Sequence, residues 1–244
     1  MNLDYLTTST NWWGMDGILH RLIEHLNFTF TSMVLALIIA LPIAIACGHS
    51  GRFGFLAINV SNIGRAVPSI AFLGLASQLI PHGYSSIWPT IIALVLLALP
   101  PIITNTYVGM READKDSVDA AKGMGLSPMQ IALRVEFPLA LPLSLAGVRT
   151  AMTNVIATAT LAALVAQGGL GRLIVDGQTT SDDPQLLAGA ILVALLALVA
   201  DLLLAGLTQA ASPVARANSS GGARSKLRRA QRPERARAVQ PEPA

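Results

Sequence analysis

Five long apolar runs, residues 28–48, 53–80, 87–108, 137–166 and 186–207, dominate this 244-residue chain. A run of about 20 such residues spans the hydrocarbon core of a bilayer as a helix, and a helix satisfies its own backbone polar groups there. The runs therefore predict an all-α integral membrane protein. Composition agrees, because 13% of the residues are charged, against about a quarter in soluble domains. No polar segment between the runs is long enough to fold as a separate enzymatic domain. The single cysteine, Cys47, excludes a disulfide framework within the chain and a multi-cysteine metal site.

Asn59, Asn62, Arg65 and Pro68 interrupt the run 53–80, which could then be one kinked crossing or two short pieces. Charge parity decides between them, because Lys and Arg gather in cytoplasmic loops. Arg52 follows the first run, and Arg111, Lys115, Lys122 and Arg134 separate the third from the fourth. Eight of the 17 basic residues lie beyond Ser212, and only Arg21 and Arg172 remain for the other side. The loops at Arg52 and Lys115 share the cytoplasmic side if 53–80 crosses once. The prediction is about five transmembrane helices (six if 53–80 splits), with the N-terminus outside and the C-terminus inside.

Three parts follow from this reading. Residues 1–27 form an extracytoplasmic or interfacial segment, where Trp12 and Trp13 suit the membrane–water boundary. Residues 28–208 form the transmembrane domain. Residues 209–244 form a basic cytoplasmic tail whose Ser, Gly, Pro, Ala and Arg cannot bury a core, which predicts disorder. Anionic lipid would attract that tail by about 1 kcal/mol per basic residue near the surface; nucleic acid is not an expected partner. The first run is expected to be a retained helix and not a cleaved signal, because its leading flank is acidic and polar while Arg52 follows it.

The polar insert DAAKGMGLSPMQIALRVEFP, residues 119–138, reads as helix, tight turn, helix. Asp116 can cap a short helix, with Asp119 near its third position. Gly125 stands where a left-handed residue ends that helix. Ser127, Pro128 and Gln130 form a capping box that restarts it, and Pro138 marks the start of the next span. Two small residues, Ala120 and Ala121, give the insert a face that another protein could approach closely.

These residues resemble the cytoplasmic loop of binding-protein-dependent ABC importer permeases. That loop reads Glu-Ala-Ala, three residues, Gly, nine residues, then Ile, any residue, Leu-Pro. This chain has Asp119-Ala120-Ala121, three residues, Gly125, nine residues, then Val135-Glu136-Phe137-Pro138. Asp, Val and Phe replace Glu, Ile and Leu at unchanged spacing. Arg65-Ala66-Val67-Pro68-Ser69-Ile70-Ala71, the stretch from Leu99-Pro100-Pro101 to Tyr107-Val108-Gly109, and Gly168-Gly169-Leu170-Gly171 are similar to elements of the osmoprotectant branch. The resemblance covers roughly residues 28–207.

The resemblance implies a methionine-importer-type permease fold in the cytoplasmic membrane. It implies two permease chains (identical or paralogous), a separate ABC ATPase and an extracytoplasmic substrate-binding protein. Asp119, Ala120, Ala121, Gly125, Val135, Phe137 and Pro138 would belong to a coupling helix resting in a groove of the ATPase. The imported solute would be glycine betaine, choline, carnitine or proline betaine, with an amino acid or another small solute as the alternative. A secondary transporter is a further alternative, and it leaves the loop spacing unexplained. The chain has no Gly-x-x-x-x-Gly-Lys-Ser/Thr phosphate loop, so ATP is expected to be used by the partner. No catalytic, cofactor-binding or metal site is expected in this chain.

Polar groups inside the spans are candidates for a translocation path, because charges at mid-bilayer are costly. They are Arg65, Pro68, Asn105, Arg149, Asn154 and Asp201. A competing reading pairs Arg65 or Arg149 with Asp201, which would join helices and not line a pore. Aromatic cages are the usual solution for a quaternary ammonium. Trp12, Trp13, Tyr84 and Trp88 all lie near outer ends of spans, so a low-affinity path is expected and not a tight intramembrane site.

Overall fold

A ridge of small residues repeats every fourth position along the first long helix: Ser32, Ala36, Ala40, Ala44 and Gly48, all buried. Such ridges let helix backbones approach closely in lipid, where van der Waals packing drives association. The computed structural model describes residues 4–52, 59, 69–80, 86–165 and 167–210. Its described part is all-helical. A short α1 (Asp4–Thr7) and a 3-10 turn (Ser9–Trp12) lead into α2 (Ile18–Ser50). There follow α3 (Ser69–Leu79), α4 (Trp88–Arg111), α5 (Lys115–Gly123) and α6 (Pro128–Ile131). A π turn (Ala132–Glu136) joins α6 to α7 (Phe137–Ala159), and a 3-10 turn (Thr160–Val165), α8 (Gly171–Thr180) and α9 (Asp183–Ala210) complete it.

Among the described residues, four helical stretches are long and apolar enough to cross a membrane: Ile18–Ser50, Trp88–Arg111, Pro128–Val165 and Asp183–Ala210. The first begins ten residues before the apolar run read from the sequence. Its added turns bury Ile18 and His25, while Arg21 and Glu24 pair at 2.9 Å. Trp12 does not lie free at a surface. Its indole N–H donates to the Leu6 carbonyl at 2.8 Å and its ring packs near Ile18, Leu170 and Leu173, whereas Trp13 is exposed.

Helix directions follow from contacts at each end. The Ser32 hydroxyl donates to the Ile91 carbonyl at 3.5 Å, and a Cβ placed on Gly48 would sit 2.5 Å from the Met110 Cβ. The helices α2 and α4 therefore run parallel. By contrast α7 is antiparallel to both: Gly109 abuts Ala140, Gly147 abuts Pro101 and Asn105, and His25 reaches Ile156. The core of this triad is Phe28, Met33, Ile91, Leu94, Ile102, Ala151 and Val155. Leu73 of α3 packs with Ala93 and Val165. Of α9 only Ala188 and Gly189 are buried, and Leu195, Leu198, Leu202 and Leu203 are exposed, as suits a helix solvated by lipid.

Candidate functional site

The two ends of the bundle differ in content. One carries α5, α6 and the π turn, and the other carries α1, α8 and the loop before α8. At the first end, Asp114 caps α5, accepting the Ser117 amide at 2.9 Å and the Ser117 hydroxyl at 2.6 Å. These hydrogen bonds hold the Asp114 carboxyl below its ordinary pKa, the hydroxyl contributing most. The expected cap, Asp116, lies instead within the first turn. Asp114 wins because its backbone is extended (ψ 119°), the cap geometry that frees the carboxylate to reach back.

The turn that follows is built as expected. Gly125 has φ +79°, its amide donates to the Lys122 carbonyl, and the Leu126 amide donates to the Ala121 carbonyl at 3.2 Å. That pair of bonds is a complete Schellman closure. Ser127 and Gln130 close a capping box through the Ser127 amide to Gln130 Oε1 at 2.8 Å and the Gln130 amide to Ser127 Oγ at 3.4 Å. Asp119 is exposed and pairs with Lys122 at 2.9 Å. Ala120 faces outward, but Ala121 is buried, so only one of the two alanines is offered to a partner.

Pro138 stands in the first turn of α7, where the next span was expected to start, but no loop precedes it. Helix continues from Pro128 to Val165, with the π turn 132–136 joining α6 to α7. The Phe137 amide donates to the Ala132 carbonyl, five residues back, just before Pro138, which has no amide to offer. Val135 is half-buried within that turn and Pro138 is exposed. Phe137 packs with Ile45, Met110, Ala132 and Ala140, which seats the turn on α2 and α4. Glu136, 8% exposed, meets His49 in the last turn of α2 at 2.7 Å. A cleft of about 310 Å³ lies beside this pair, lined by His49, Arg111, Lys115, Asp119, Lys122 and Glu136.

Of the polar residues within spans, Arg149 and Asp201 meet as a two-pronged ion pair linking α7 to α9, Nε to Oδ1 and Nη2 to Oδ2 at 2.5 Å each. This geometry matches the pairing reading. Asn105 is half-buried, donates to the Pro101 carbonyl at 2.8 Å and flanks Gly147. Asn154 is exposed on α7, one turn beyond the exposed Thr150. Arg65 and Pro68 lie outside the described residues. Among the described residues, no cluster of His, Cys, Asp and Glu could hold a metal ion.

Sequence reasoning missed two carboxylates, Glu136 and Glu24. Each stands beside an apolar run, where a lone charge is expensive. That expense signals a partner. It does not reveal which one, since His49 lies 87 residues from Glu136 and the Gly169 amide that binds Glu24 lies 145 residues away.

Comparison with known proteins agrees with this arrangement. The chain is 37% identical over 192 residues to the osmoprotectant import permease protein OsmY of Salmonella typhimurium, covering 78% of this chain and 80% of that one. It is 35% identical to the carnitine transport permease protein OpuCB of Listeria monocytogenes, covering 79% and 87%. It is 32% identical to the choline transport system permease protein OpuBB of Bacillus subtilis, covering 77% and 85%. An inward-facing structure of the MetNI methionine ABC transporter has the same fold, with a TM-score of 0.68 at 19% identity over 80% of this chain and 95% of that one. Residues 36–213 match the family described as binding-protein-dependent transport system inner membrane component, and this chain, a multi-pass protein of the plasma membrane, belongs to that family.

Proposed function

We propose that this chain is the permease subunit of an ABC importer that moves a small osmoprotectant of the glycine betaine, choline, carnitine or proline betaine class into the cell. A separate ATPase would supply the energy, an extracytoplasmic binding protein would deliver the solute, and two permease chains would frame the path. The element 115–138 carries this reading. It is closed by local caps, seated on α2 and α4 through Phe137 and Glu136, and presents Met124, Met129 and Leu133 to its surroundings. Exposed methionines on a stiff polar element suit an adaptable protein contact. ATPase closure would then push on the element, and the π turn would pass the displacement into α7.

The parallel course of α2 and α4 supports five crossings, because α2 ends and α4 begins at opposite ends of the bundle. With α5 and α6 on the cytoplasmic side, the N-terminus lies outside, the C-terminus inside, and the basic tail near the inner leaflet. The substrate class rests on the names of the relatives. Arg149 and Asp201 act as a helix clamp in this reading, while Asn154 and Thr150 face the path. The test is to reconstitute the chain with its co-purifying ATPase and binding protein. Glycine betaine, choline or carnitine should stimulate ATP hydrolysis; stimulation by methionine or histidine alone would overturn the substrate class.

A further inference from the structure

At the end of the bundle opposite α5, one face of α2 presents Glu24, Asn27, Phe28 and Thr31, at the i, i+3, i+4, i+7 spacing of a helical stripe. These four residues, with Ile87, Ile91, Gln167 and Gly168, line a cleft of about 240 Å³. Drug-sized ligands occupy roughly 300–1,000 Å³, so this space suits a smaller solute. The lining holds one carboxylate and no basic side chain. It also holds one phenyl ring, two isoleucines and three neutral polar side chains.

The carboxylate is held in place. Glu24 Oε2 accepts from Arg21 Nη1 at 2.9 Å and from the Gly169 amide at 2.8 Å. His20 Nε2 stands 3.4 Å from Oε1. Arg21 is shared with Asp16 at 2.6 Å, so two carboxylates face one guanidinium and the group keeps net negative character. The loop is shaped around it. A Cβ on Gly168 would collide with the Glu24 carboxylate, and Gly169 sits at φ +90° with its amide aimed at the same oxygen. A backbone folded against a carboxylate, beside a cleft its side chains leave open, fixes a negative charge at one wall.

A carboxylate, a phenyl ring and an aliphatic wall together recognise an organic cation. The charge and the ring attract an ammonium, and the isoleucines accept its methyl groups. A bare divalent cation would want several carboxylates around it, and the lining offers one beside apolar walls. We propose that this cleft is a weak receiving site for a small alkylated ammonium group, where solute leaving the binding protein first contacts the permease. The assignment rests on the importer reading for its place in transport, but not for its ligand chemistry.

The test uses the full chain with its ATPase in proteoliposomes, Cys47→Ser, with the exposed Asn27→Cys as reporter. A membrane-impermeant thiol reagent should label Asn27→Cys, and choline should halve the rate at a concentration equal to its Kd, by mass action. The uncharged isostere 3,3-dimethylbutan-1-ol should leave the rate unchanged, and Glu24→Gln should remove the choline effect. Saturation-transfer NMR of tetramethylammonium on the chain without the reporter substitutions, against Glu24→Gln, gives the same answer without a cysteine. No choline protection, equal protection by the isostere, or protection that survives Glu24→Gln overturns the site. Protection without solute-stimulated ATP hydrolysis supports the site and sinks the importer reading; stimulated hydrolysis without protection sinks the site alone.

Discussion

The two ends of the bundle are both rigid, but they are made rigid in opposite ways. In the α5–α6 element the turn-closing bonds are local: Asp114 to Ser117, Asp119 to Lys122 and Ser127 to Gln130 are each three residues apart. At the other end, beside local pairs such as Arg21 with Glu24, bonds bridge distant segments, His25 to Ile156 across 131 residues and Glu24 to Gly169 across 145. Local closure makes a block that keeps its shape while it moves. Long-range closure makes a head that keeps its shape only while the bundle holds. In the proposed importer, a lever and a gate frame would need those two kinds of stiffness. Among the described residues, Glu136–His49 and the seating of Phe137 tie the block to α2 and α4, and the continuous helix through the π turn ties it to α7.

The strongest test of the long-range class is the Arg149–Asp201 pair, which joins α7 to α9 across 52 residues. Asp201→Ala leaves a guanidinium unpaired within a spanning helix, and folded protein in the membrane should fall by at least about tenfold. Arg149→Met with Asp201→Leu removes both charges and should restore most of it, since apolar replacement of a whole pair is often neutral. Quantitative blotting of membranes and thermal unfolding in detergent read both. If the double variant is as poor as the single, the pair is more than a clamp. If it is stable but takes up no solute, the charges belong to the path.

A smaller effect is expected at the joint between block and bundle. His49→Ala leaves the buried Glu136 carboxylate without its partner and should lower stability by about 1–3 kcal/mol, the usual cost of an orphaned buried hydrogen-bonding group. Glu136→Ala alone should cost less, because the group it orphans, His49, is partly exposed. The two together should cost less than their sum. Exact additivity would mean that the 2.7 Å contact carries no energy, and the block would then be seated on α2 and α4 by apolar packing around Phe137.

The same contrast explains what could be read from sequence. Gly125, Ser127 and Gln130 were legible because a cap is satisfied within a few residues, so its signature is contiguous. Asp114 was missed by two positions, since Asp114 and Asp116 are the same residue type and only backbone geometry separates them. The start of a span at Pro138 was legible, because proline suits the first turn of a helix, but the π turn that carries the chain into it was not. The early start of α2 was hidden by polar Arg21 and Glu24, which pair with each other within the fold. The pairing of Arg149 with Asp201 was legible as one of two options, since few charges lie within the spans. The Glu24 cleft was not legible at all. Its walls come from α2, from Ile87 and Ile91, and from the loop before α8, and only their packing brings them together.

The smallest structural effect should fall on the block itself, and it distinguishes a lever from a passive link. Gly125→Ala forces a side chain into φ +79°, a local cost of roughly 1–2 kcal/mol. Because the strained bonds close within the block, the unfolding midpoint of the bundle should shift little. Amide exchange at Gly125 and Leu126 should quicken, and ATP hydrolysis should rise relative to solute uptake, since a softened turn absorbs the stroke. Ala121→Trp should act the same way and more strongly, because Ala121 is 2% exposed and has no room for an indole. A midpoint that drops with Gly125→Ala as far as with His49→Ala would show that the block is not separate from the bundle. Unchanged coupling in both variants would make it a connecting loop, and the contrast between the two ends would then lose its mechanical meaning.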